Sequence, residues 1–107
     1  MAHYLIQMKY TAEAWSTLIG NPQNRAAAVE SAVKALGGSI ESWWLTFGEY
    51  DVAVILEMPD AVSAAAFSMA VNAGGAVRDL RTTPLYSVEQ ELEAFNKAAE
   101  AGYEPPW

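Results

Sequence analysis

The chain has no cysteine and a single histidine, His3. The first absence excludes disulfides, thiolate nucleophiles and thiolate metal sites together, and the second excludes a multi-histidine metal centre unless subunits share ligands. Carboxylates alone could still hold a hard cation, but the expectation is a protein without metal or cofactor. Basic residues are scarce too, with 6 Lys+Arg against 13 Asp+Glu and a net charge of -7. Such a chain offers no basic stripe for phosphates or anionic headgroups, so nucleic acid and membrane are not expected partners. No apolar run approaches a membrane span. Met1-Ala2-His3-Tyr4 sets no charged region ahead of an apolar one, so a soluble, cytoplasmic protein without a secretory signal is expected.

What is abundant is apolar: 52% of the 107 residues are hydrophobic and only 18% charged. A chain of this length builds one core, expected over residues 1–101, with 102–107 as an extended tail. The apolar excess over what a monomer surface needs predicts cover by another subunit, in a homodimer or higher oligomer.

Ala2 to Tyr10 alternates as a strand, with Tyr4, Ile6, Met8 and Tyr10 on the core face and His3, Leu5, Gln7 and Lys9 on the other. Thr11 can cap a short helix carrying Trp15 and Leu18, ended by Gly20. Asn21 as N-cap and Pro22 at the first helical position predict a second helix whose stripe is Ala26, Val29, Val33 and Leu36, stopped by Gly37-Gly38. Pro59 and Asp60 start a third, with Val62, Ala66, Met69 and Ala70 as its apolar side and Gly74-Gly75 as its end. A strand from Val77 to Tyr86 follows, whose Pro84 predicts an edge position or strand end. Ser87-Val88-Glu89-Gln90 fits a capping box opening a C-terminal helix with Leu92, Phe95 and Ala99 on one side. With the hairpin below, the fold class is α+β: a ferredoxin-like βαββαβ sandwich with an extra C-terminal helix.

Between residues 40 and 58, two apolar runs flank Gly48-Glu49, the pattern of a two-residue type II′ turn with Gly48 at positive φ. That turn sets Phe47 against Tyr50, Leu45 against Val52 and Trp43 against Val54 on an apolar face. The opposite face then pairs Thr46 with Asp51, Trp44 with Ala53, Ser42 with Ile55 and Ile40 with Glu57. Helices cover only one face of such a sheet, so Trp44, Ile40, Ile55 and Ala53 call for a second cover, which a partner sheet would supply.

The Gly48-Glu49-Tyr50-Asp51 core followed by Glu57-Met58-Pro59-Asp60 resembles the GYD domain family. The resemblance spans nearly the whole chain up to the capping box and implies a dimeric α+β barrel; it implies no particular reaction. The chain departs from the pattern at Arg81-Thr82-Thr83-Pro84-Leu85, where a proline interrupts the last strand.

Asp51 and Glu57 are the acid-base candidates, as carboxylates on an apolar surface. Asp51 can instead bond Thr46 or the turn, and Glu57 can end its strand at the rim. Tyr50 is a candidate donor to a ligand oxygen or an aromatic packed on Phe47, and His3 a candidate base or a solvated strand residue. Arg78 and Arg81 could hold an anionic substrate, with pairing to acids favoured by the charge balance. Trp44, Asp51, Ala53, Ile55 and Arg81 are the candidate ligand-binding set, Trp44 as a pocket wall or an interface filler. Three functions remain open: an oligomeric protein binding a small apolar or aromatic ligand, a cofactor-independent monooxygenase, isomerase or cyclase, and a regulatory or assembly subunit.

Overall fold

The computed structural model describes residues Met1 to Trp107. The elements are β1 (Ala2–Tyr10), α1 (Ala12–Gly20), α2 (Arg25–Ala35), β2 (Ser39–Leu45), β3 (Val52–Met58), α3 (Ala61–Ala73), β4 (Val77–Leu85) and α4 (Val88–Glu100), an α+β fold in the order βααββαβα. The four strands form one antiparallel sheet in the order β2-β3-β1-β4. Pro84, which lacks an N–H, thus sits on an edge strand, as its chemistry requires.

Period-two alternation decides the core. Tyr4, Ile6, Met8 and Tyr10 of β1 and Val52, Val54, Leu56 and Met58 of β3 are all buried, with Tyr4, Ile6 and Met8 opposite Leu56, Val54 and Val52. Val33 of α2 and Ala64 and Phe67 of α3 close over them, and Ala14, Trp15 and Leu18 of α1 pack at the margin. No helix is long and apolar enough to cross a membrane.

Four local expectations are overturned. The second helix starts at Arg25 rather than Pro22: the Asn21 N–H closes α1 on the Thr17 carbonyl, and Asn24 caps α2 by accepting from the Ala27 N–H. The hairpin turn is not Gly48-Glu49, because residues 46–51 form a wider connection and Gly48 is not among the glycines of positive φ. The register of Leu45, Trp44, Trp43 and Ser42 against Val52, Ala53, Val54 and Ile55 survives, since the Thr46 N–H still donates to the Asp51 carbonyl. Within the wider loop Phe47 is solvated and Tyr50 buried, so the two do not pair.

The third correction is a bulge at Glu41, which shifts the register so that Ile40 faces Leu56 and Ser39 faces Glu57. Ile40 joins the core instead of the second face. The fourth concerns α3, which buries Ala64 and Phe67 while Val62 and Met69 lie exposed. Its sequence is apolar on every side, so periodicity could not set its phase; the Asp60 side chain caps its start by accepting from the Ser63 N–H, and packing on the sheet selects Ala64 and Phe67.

Two adjacent glycines separate two physical roles. Gly37, at φ 84°, ends α2 in the left-handed region, with its N–H on the Lys34 carbonyl and that of Gly38 on the Val33 carbonyl. Gly38 is required for space, because a Cβ there would meet the Met58 sulfur and lie 2.5 Å from the Glu57 carbonyl oxygen. Gly38→Ala is therefore expected to cost about 1–3 kcal/mol through overpacking against backbone. Gly48→Ala, with open space around it, should sit within about 0.5 kcal/mol of wild type. Urea denaturation of both variants checks the contrast.

Candidate functional site

The uncovered face of the sheet carries Trp44, Ala53, Ile55 and Arg81, with His3 and Glu57 at its other end. Trp44 lies opposite Ala53, Ile55 between Ser42 and Leu5, and Arg81 opposite Gln7, farther across the sheet. Tyr50 folds onto β4, donating to an Asp79 carboxylate oxygen at 3.4 Å with the Arg81 guanidinium 5.6 Å from its ring centre. Asp51 does not join them: its carboxylate accepts the Tyr10 N–H at 2.9 Å and its own N–H donates to the Met8 carbonyl, fastening the hairpin loop to the end of β1. His3 lies at the opposite end of β1, where its Nε2 meets Glu41 Oε1 at 3.0 Å. Arg78 is exposed near the register shift between β1 and β4.

The hollows lie mainly on the other side, between helices and sheet. Three of them, of about 330, 340 and 270 Å³, share Tyr10 and Arg25. The first is roofed by α1 and the Gly74-Gly75-Ala76 turn, and the second runs toward Trp15 and Trp43. The third is a slot between α2 and α3, bordered by Ala28, Ala32 and Ala70, whose small side chains leave the space, and floored by Phe67 and Val77. Arg25 is the only charged residue lining the second and third; Glu13 shares the first.

The electrostatics of Arg25 are unusual for its position. It opens α2, where the helix dipole disfavours a cation. No acid pairs with it; its guanidinium donates to Gln23 Oε1 at 3.1 Å. Beside it, Tyr10 is 8% exposed and meets Trp15 edge-on at 5.1 Å between ring centres. Burial pushes the Tyr10 phenol above its ordinary range, the Arg25 charge opposes this, and Asp51 adds to the rise. An apolar slot with one unpaired guanidinium and a neutral phenol at its edge is suited to an apolar body bearing one anionic group.

Reading the sequence alone did not single out Arg25, although a signal was there. It stands at the head of Arg25-Ala26-Ala27-Ala28-Val29, with no acid three or four residues on to pair with. The family model described as GYD domain matches residues 4–95. No curated protein matches the chain.

Because the Tyr10 phenol is raised in the fold, the folded state holds its proton more tightly than the unfolded chain. Its contribution is fully present below the unfolded phenol value of about 10 and is lost as pH climbs through the folded value. Stability is thus expected to fall above about pH 10, and Tyr10→Phe to flatten part of that slope, the remainder belonging to Tyr50, which burial also raises. Arg25→Met should delay the Tyr10 ionisation further. Near-ultraviolet absorbance and chemical denaturation across the alkaline range check both.

Proposed function

The chain belongs to the GYD domain family, and from that premise we propose that it is a homodimeric small-ligand-binding protein whose cleft takes aromatic or compact apolar carboxylates. The observation that carries the reading is the convergence of three hollows on Tyr10 and the unpaired Arg25. The ring or chain of the ligand fills the slot between α2 and α3, against Trp43, Val29 and Phe67. Its carboxylate takes the Arg25 guanidinium in the bidentate geometry that arginine presents, near the N-terminus of α2, where the dipole favours an anion. Glu13 repels an anion from the first hollow and so directs it toward the other two.

The dimer rests on a different observation. Trp44 is 65% exposed on the open sheet face, and α4 carries exposed Val88, Leu92 and Phe95 along one side. The radius of gyration is 17.1 Å, against about 13 Å for a compact chain of this length. The excess fits a C-terminal helix that stands off the domain, and an isolated helix of 13 residues is marginal in water. A second copy, sheet face to sheet face as in a dimeric α+β barrel, covers the open face and gives α4 a surface to lie on.

Titration calorimetry with benzoate and phenylacetate, and with benzyl alcohol as the uncharged comparator, tests the cleft. The carboxylates are expected to bind at least about tenfold more tightly than the alcohol, as a charge-assisted bond worth about 1.5–3 kcal/mol requires. Arg25→Met should abolish that difference; equal affinities for acid and alcohol would overturn the assignment. Sedimentation equilibrium should give a dimer, and Trp44→Glu should shift it toward monomer by putting a charge in the covered face.

A further inference from the structure

We propose that His3, Glu41 and Glu57 form a binding site for a divalent transition-metal ion on the open face of the sheet. The three come from neighbouring strands: Glu57 of β3 pairs with His3 of β1 on one side and with Ser39 of β2 on the other. Their candidate ligand atoms all lie within 4.8 Å of one another. Bonds of about 2.0–2.2 Å to nitrogen and carboxylate oxygen hold ligand atoms about 3–3.5 Å apart around a tetrahedral ion. His3 Nε2 and Glu41 Oε1 already meet that spacing at 3.0 Å, and rotation of the Glu57 side chain supplies the rest.

The bulge at Glu41 creates the cluster. With the register of Ser42 to Leu45 carried on without a break, Glu41 would face Leu56 on the core side and Ile40 would face Glu57. The extra residue instead returns Ile40 to the core and leaves the Glu41 carboxylate on His3. Bulges that re-aim one side chain in this way concentrate beside functional sites. A hydrogen bond between His3 and Glu41 needs no third acid, yet Glu57 stands there half-buried, and no lysine or arginine pairs with either glutamate.

One imidazole with two carboxylates selects a borderline transition ion such as Zn²⁺ over Mg²⁺, which favours all-oxygen octahedral sites. To ligate, neutral His3 keeps its proton on Nδ1, so that the Nε2 lone pair and the Glu41 carboxylate both face the ion. Three protein ligands leave at least one position for water. All three ligands come from one protomer, and none of them lines the cleft.

Calorimetric titration of the metal-stripped full chain with zinc chloride and with magnesium chloride tests the proposal. We expect one Zn²⁺ per chain, bound at least about a hundredfold more tightly than Mg²⁺, with the Nε2 resonance of the only imidazole moving to a metal-bound shift. Glu57→Gln is the deciding variant, because the His3–Glu41 pair survives it; Zn²⁺ affinity should fall at least about tenfold in Glu57→Gln and in Glu41→Gln, and stay unchanged in Glu89→Gln. Binding that does not saturate, an unshifted imidazole, or a Glu57→Gln chain that binds zinc like wild type would overturn it. Unchanged circular dichroism of the metal-free variants keeps loss of the site distinct from loss of the fold.

Discussion

The alternation of β1 against β3 is the constraint on which everything else depends. β1 is bonded on both sides, by β3 and β4, and its inward residues Tyr4, Ile6 and Met8 oppose Leu56, Val54 and Val52. Each such side chain gains about 1.5–3 kcal/mol from full burial, and a slip of one residue would turn the whole set to water. The helices answer to that face: Val33, Ala64 and Phe67 are buried because they meet it. Since one face is committed to the core, the other is left to chemistry or to a partner.

The two departures from a regular hairpin sort residues between those faces. The loop at residues 46–51 lays Tyr50 over Asp79 and Arg81 of β4 on the open face and lets the Asp51 carboxylate hold the Tyr10 amide, so the end of β1 beneath the cleft is fixed from behind. The bulge at Glu41 sends Ile40 one way and a carboxylate the other. A third feature, the alanines of α2 and α3, keeps the helices from filling the space between them. Arg25 then has an apolar slot before it and no acid of its own.

Much of this was legible in the sequence where the signal is local. The alternation of β1, the Thr11 cap, the Ser87-Gln90 capping box and the stripe ending in Val33 and Leu36 each follow from spacing and cap chemistry, and each is found. The faces of α3 were not legible, because Val62 and Met69 are as apolar as Phe67 and only packing chooses among them. Gly48 suggested a tight turn through its freedom at positive φ, but the loop bonds through Thr46 and Asp51 instead. The bulge carries no sequence mark at all. Of the candidate site residues, Trp44, Ala53 and Ile55 were rightly placed on one face, whereas Arg25 depends on a gap between helices that no single-sequence periodicity reports.

The proposed small ligand has two candidate surfaces: the cleft at Tyr10 and Arg25, and the open face at Trp44 and Arg81. Its exposed apolar groups suit the open face to a second copy, whereas the cleft has depth and one charge to orient an acid. Amide chemical-shift mapping of the full chain with saturating benzoate separates them most directly. The account predicts shifts in residues 25–36, at Trp43 and in residues 67–77, around the slot between α2 and α3 and the hollow beside it that shares Tyr10 and Arg25. Shifts confined to Trp44, Ala53, Ile55 and Arg81, with the cleft unperturbed, would contradict it.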